Sequence, residues 1–93
     1  MSKVAVVTGG ARGIGTAIAK RLAGDGLDIA ILDVDVSQCA ATVAALGALG
    51  SRALAITVNV ADEASVAAAV TRISDELGPP LVLVNNAGVM RSR

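Results

Sequence analysis

The chain has 93 residues, eight Lys+Arg against eight Asp+Glu, one cysteine, no His and no aromatic residue. A formal net charge of zero leaves no basic stripe for a phosphate backbone, and without Phe, Trp or Tyr there is no platform on which single-stranded bases could stack. The absence of His removes most metal sites and every His-dependent catalytic relay, and the lone Cys39 cannot close an internal disulfide.

Short β-branched runs alternate with Ala-rich stretches. Lys3–Thr8 reads as a buried strand, and Thr8–Gly15 as a glycine-rich loop running into a helix over Gly13–Ala23. In that helix Ile14, Ala17, Ile18 and Leu22 recur at helical spacing, and Gly24-Asp25-Gly26 stops it. Leu27–Asp33 is a second apolar strand. Ser37–Leu49 predicts a second helix with Ala40, Val43 and Leu46 on one face, weakened at Gly47 and ended at Gly50. Arg52–Val58 is a third strand. Asp62 caps a third helix, whose Val66, Val70, Ile73 and Leu77 form an apolar stripe. Gly78 and Pro79-Pro80 terminate it, and Leu81–Val84 is a fourth strand leading into Asn85-Asn86-Ala87-Gly88.

The order is βαβαβαβ. Strands apolar on both faces, alternating with helices, predict an α/β domain: a Rossmann-like, doubly wound parallel sheet with helices on both sides. Four strands and three helices make it an incomplete one. The fourth strand would then be an uncovered apolar edge, predicting poor stability or self-association. With 54% hydrophobic residues and no aromatics, the core is Val, Ile, Leu and Ala, and Cys39 reads as a small buried hydrophobe. No apolar run approaches the ~18 residues of a membrane span. Val4–Val7 followed by a polar turn is no signal peptide. These features predict a soluble, cytoplasmic protein with neither a membrane nor a nucleic-acid partner.

The loop carries the chemistry. A helix N-terminus offers unpaired N–H groups and partial positive charge, so it holds phosphate, and glycines let the backbone approach closely. Gly10 and Gly15 have P-loop separation, but Thr16-Ala17 follows where Lys and Ser/Thr are required. The strict G-x-G-x-x-G fingerprint also fails; what stands is Thr-Gly-x-x-x-Gly-x-Gly. Asp33 closes the second strand where a carboxylate would hold adenosine ribose hydroxyls and repel a 2′-phosphate. That favours NAD over NADP, while Arg12 in the loop pulls the other way.

These residues resemble the short-chain dehydrogenase/reductase family. Thr8–Gly15 is similar to its TGxxxGIG signature, Asp33 to its second-strand acid, Asn59-Val60 to its adenine-contacting pair, and Asn85-Asn86-Ala87-Gly88 to its NNAG motif. Within the family the chain looks most like reductases of 3-oxoacyl thioesters, with acetoin/diacetyl and other small-carbonyl reductases close behind. The resemblance implies a dinucleotide cofactor and residues 1–93 as the N-terminal cofactor-binding part. It implies that Gly9, Gly13 and Gly15 form the pyrophosphate turn, with Arg12 and Ile14 lining it. Asp33 would hold the ribose and Asn59 and Val60 would flank the adenine. Asn86, Ala87 and Gly88 would support the sheet centre and touch the cofactor ribose. The family's catalysis uses a Tyr-x-x-x-Lys pair. This chain has no Tyr, and its only lysines are Lys3 and Lys20, so no catalytic residue is assigned, nor any metal ligand. Thr8 and Ser65 read as structural hydroxyls. The expectation is an NAD(P)-dependent oxidoreductase present as a cofactor-binding fragment, inactive alone toward any small carbonyl or acyl substrate. The alternatives are a non-catalytic nucleotide-binding module and an interaction fragment that pairs with an intact homologue.

Overall fold

The computed structural model of the chain describes residues 3–9, 13–35, 37, 39–59 and 61–85. Four strands, β1 (Val4–Thr8), β2 (Asp28–Asp33), β3 (Ala53–Thr57) and β4 (Pro80–Asn85), alternate with α1 (Gly13–Gly24), α2 (Ala40–Ala48) and α3 (Glu63–Glu76). All strand pairs are parallel, in the order β3-β2-β1-β4, so the chain steps outward to β3 and then crosses back to lay β4 on the other side of β1.

The pleat of β1 divides the core in two. Ala5 and Val7 face α1 and α2 in a cluster with Ala19, Ala23, Ile29, Ile31, Cys39 and Leu46. Val4 and Val6 face α3 with Ala30, Leu32, Ile56, Val58, Ala69 and Ile73. Strands β1 and β2 are buried on both faces, as continuous apolar runs require.

The helices differ in detail from the sequence expectation. On α1 the buried stripe is Gly15, Ala19 and Ala23, while Ile14 is 71% exposed and Ala17 is also exposed. Small residues four apart let the helix lie close on the sheet, so their row is the fully buried one, and Leu22 of the expected row packs half-buried beside it. Helix α2 starts at Ala40 instead of Ser37, because the Asp35 carboxylate accepts the Ser37 N–H at 2.9 Å and turns the chain first. Its buried side is Cys39, Thr42 and Leu46; Ala40 is exposed and Val43 half-buried. Helix α3 begins as predicted, with Asp62 Oδ1 accepting from the N–H groups of Ala64 and Ser65 at 3.0 and 3.4 Å. Its stripe runs through Ala69 and Ile73, with Val70 left 41% exposed. Strand β4 begins one residue early, at Pro80, and a strand's first position tolerates a missing N–H. Among the described residues β4 is a sheet edge, and Leu81 and Leu83 stand 64% and 69% exposed.

Candidate functional site

The C-terminal ends of the strands gather most of the predicted site residues. Thr8 is in register with Leu32 on one side and Asn85 on the other, and Asp33 with Thr57. The switch in strand order falls between β1 and β4, with α1 on one face of the sheet and α3 on the other. In open α/β sheets the crevice at such a switch point is where ligands bind.

The turn out of β1 is built from backbone. Gly9 donates its N–H to the Leu32 carbonyl at 2.8 Å and has φ 68°, while Gly13 opens α1 with φ 61°. Both angles lie in the left-handed region that glycine adopts without penalty. A Cβ built on Gly13 would meet nothing within 4 Å, so backbone conformation alone requires glycine there. No acidic residue occupies the first turn of α1, leaving its partial positive charge available to an anion. The Thr8 hydroxyl donates to the Val84 carbonyl at 3.4 Å across the switch point, a structural tie as expected. Gly15 is buried beneath the turn, and Ile14 is exposed beside it.

Asp33 ends β2 half-buried. Its carbonyl accepts the Val58 N–H at 2.8 Å, and its Oδ1 accepts the Asp35 N–H at 3.5 Å. Asp35, which the sequence reading did not single out, therefore adds a second carboxylate to this end of the sheet; the Asp-x-Asp spacing after an apolar strand was its signal. Beneath them Cys39 is 1% exposed, and its thiol is pushed up by burial first, then by the negative charges of Asp33 and Asp35. Asn59, after β3, folds into a turn: its Oδ1 accepts the Ala61 N–H at 3.0 Å and its own N–H donates to Ser65 Oγ at 3.2 Å. Ser65 is thus a structural hydroxyl, and the side-chain carbonyl of Asn59 is engaged within its own turn. Arg12, Val60, Asn86, Ala87 and Gly88 lie outside the described residues. Among the described residues there is no cluster of metal-ligating side chains, and no helix is long and apolar enough to cross a membrane.

The family described as short chain dehydrogenase matches residues 3–93. The chain belongs to that family. It is 44% identical over 91 residues to L-2,3-butanediol dehydrogenase of Corynebacterium glutamicum, covering 96% of this chain and 35% of that one. A blue fluorescent protein from a metagenomic library, solved with NADPH, is 54% identical with TM-score 0.85, over 92% of this chain and 36% of that one. Carveol dehydrogenase of Mycobacterium avium, solved with NAD, is 32% identical with TM-score 0.86, over 92% and 35%. The chain therefore spans about a third of the length of these proteins. Two left-handed glycines, an acid-free helix start and the carboxylate of Asp33 at the end of the neighbouring strand are chemically compatible with a dinucleotide.

Proposed function

We propose that residues 1–93 are the N-terminal dinucleotide-binding part of an NAD-dependent oxidoreductase acting between a carbonyl and an alcohol. The observation that carries this is the left-handed backbone of Gly9 after β1 and of Gly13 at the start of α1, with Asp33 ending the neighbouring strand β2. Gly9, Gly13 and Gly15 let the backbone approach the pyrophosphate, with Arg12 and Ile14 lining the turn. Asp33 accepts hydrogen bonds from the adenosine ribose hydroxyls and, with Asp35 close by, opposes a 2′-phosphate, which supports NAD over NADP. Asn59 and Val60 flank the adenine, and Asn86, Ala87 and Gly88 support the sheet centre at the switch point. When bound, the cofactor supplies the hydride chemistry.

The 93 residues contain no Tyr and no Lys beyond Lys20, so the chain alone has no family-type proton donor for a carbonyl oxygen and is inactive by itself. The likeness to a butanediol dehydrogenase supports a small carbonyl substrate for a full-length form; a 3-oxoacyl thioester rests on the motif resemblance. The single cysteine, free and buried, accords with a reducing, cytoplasmic setting. A second reading, an interaction fragment, is favoured by the exposed Leu81 and Leu83 on the β4 edge.

Titrating the purified chain with NADH, read by nucleotide fluorescence, tests the first reading. Saturable binding without carbonyl reduction is expected. No binding at millimolar cofactor would overturn the assignment, and turnover by the chain alone would overturn its inactivity.

A further inference from the structure

The turn after β3 engages every polar group of Asn59 but one. Asn59 donates its backbone N–H to Ser65 Oγ at 3.2 Å, and its backbone carbonyl accepts the Asp62 N–H at 2.9 Å. Its Oδ1 accepts the Ala61 N–H at 3.0 Å. Ser65 is held in turn by Asp62 Oδ1, which accepts its N–H at 3.4 Å, so the turn and the start of α3 interlock. A backbone N–H can only donate, so the amide atom facing Ala61 is the oxygen; a flipped side chain would set NH2 against N–H. What is left over is Nδ2. Asn59 is exposed, and its Nδ2 has no partner among the described residues. This group is a donor and cannot accept.

The donor lies at the C-terminal end of the sheet. Val58 donates its N–H to the Asp33 carbonyl at 2.8 Å, and Asn59 is the next residue outward from that pairing. Asp33 and Asp35, at the end of the neighbouring strand, bring side chains that accept. We propose that Asn59 meets the nucleotide base as a hydrogen-bond donor through Nδ2, so that the base is held by a ring nitrogen or a carbonyl oxygen and not by an exocyclic amino group. This rests on the dinucleotide reading above, in which Asn59 flanks the adenine. Adenine offers Nδ2 its ring nitrogens, while its amino group would set donor against donor. Hypoxanthine carries a carbonyl oxygen where adenine carries that amino group, and so offers the amide an acceptor there. The ligand class is therefore purine dinucleotides of both kinds. Aspartate at this position would read the base in the opposite sense. One oxygen would keep the Ala61 N–H, and the other would present an acceptor that takes an amino group and repels a carbonyl.

Parallel fluorescence titrations of the full 93-residue chain with NADH and with reduced nicotinamide hypoxanthine dinucleotide test this. The parent should bind both comparably. Asn59→Asp should move the ratio of the two affinities toward NADH by about tenfold or more, because a hydrogen bond to a charged group is gained with one base and lost with the other. The variant should keep the parent's circular dichroism, since the Ala61 N–H keeps its acceptor. Heteronuclear NMR of the parent gives a readout that needs no variant: the Asn59 side-chain amide pair should shift on adding NADH. A parent that binds NADH but not the hypoxanthine dinucleotide, a ratio unchanged in Asn59→Asp, or an unmoved Asn59 amide pair would each overturn the proposal and leave the dinucleotide reading standing. Binding of neither dinucleotide would overturn that reading and this proposal with it.

Discussion

Arg52 and Asp28 join three elements at the end of the sheet opposite the glycine turn. Asp28 Oδ1 accepts the Arg52 backbone N–H at 2.9 Å, while its Oδ2 meets Nε and Nη2 at 3.0 and 2.9 Å. The same guanidinium donates to the Leu77 carbonyl at 3.0 Å and the Glu76 carbonyl at 3.5 Å, at the end of α3. One side chain thus pins the start of β2, the approach to β3 and the last turn of α3.

The Asp28 side chain is 7% exposed and that of Arg52 57%, so water screens part of this pair. Arg52→Ala should lower unfolding free energy by about 1–2 kcal/mol, through the lost charge-assisted bonds and the lost helix-end contacts. Arg52→Lys should recover only part, because a point-charge ammonium cannot bond the carboxylate and the helix carbonyls in one planar fork. Urea denaturation of the three proteins checks this; a lysine variant as stable as the parent would contradict it.

Gly13 is held at φ 61° with open space around its Cβ position. Gly13→Ala should therefore cost about 1–2 kcal/mol from the left-handed conformation alone. Repair by shifting φ would displace the first N–H groups of α1, so NADH binding should fall more than stability does. Thermal melts paired with NADH titration separate the two effects.

Asp33→Asn should weaken NADH binding roughly 10-fold or more, the scale of a hydrogen bond to a charged group, and should narrow the preference over NADPH. Parallel NADH and NADPH titrations measure it. If the parent binds both equally and the variant leaves the ratio unchanged, Asp33 is not the discriminating residue.

The Cys39 thiol is raised by burial, Asp33 and Asp35, in that order. A group whose folded pKa exceeds its unfolded value stabilises fully below the unfolded pKa, and that contribution is lost as pH rises through the folded one. The unfolded thiol titrates near about 8.5. Stability should therefore decline above that pH, and Cys39→Ala should remove that part of the slope. Asp33→Asn should lower the thiol pKa in the folded chain, measurable by thiolate absorbance without any cofactor.

Much of the backbone geometry of the candidate site was legible because it is local. A glycine-rich turn between an apolar strand and a helix, and an acid closing the next strand, are set by neighbours a few residues apart. The engaged carbonyl of Asn59 and the capture of the Ser37 N–H by Asp35 were not legible, since each depends on which of several competing hydrogen bonds the folded loop selects. The contact stripe of α1 was legible only in part: Leu22 packs on the core as its spacing implied, but the distance to the sheet decides that the Gly15-Ala19-Ala23 row is buried while Ile14 and Ala17 are exposed.

By itself the sequence determined the βαβαβαβ order, the parallel sheet and the strand-end placement of the turn and Asp33, because period, turn residues and crossover handedness act along the chain. Only the tertiary structure decided that Asp28 and Arg52 form a clamp and that Leu83 stands exposed along a groove on the α3 face. It also decided that Asp33 and Asp35 bear together on a buried thiol. Those relations join residues far apart or on crossing elements, and only packing in three dimensions brings them within reach.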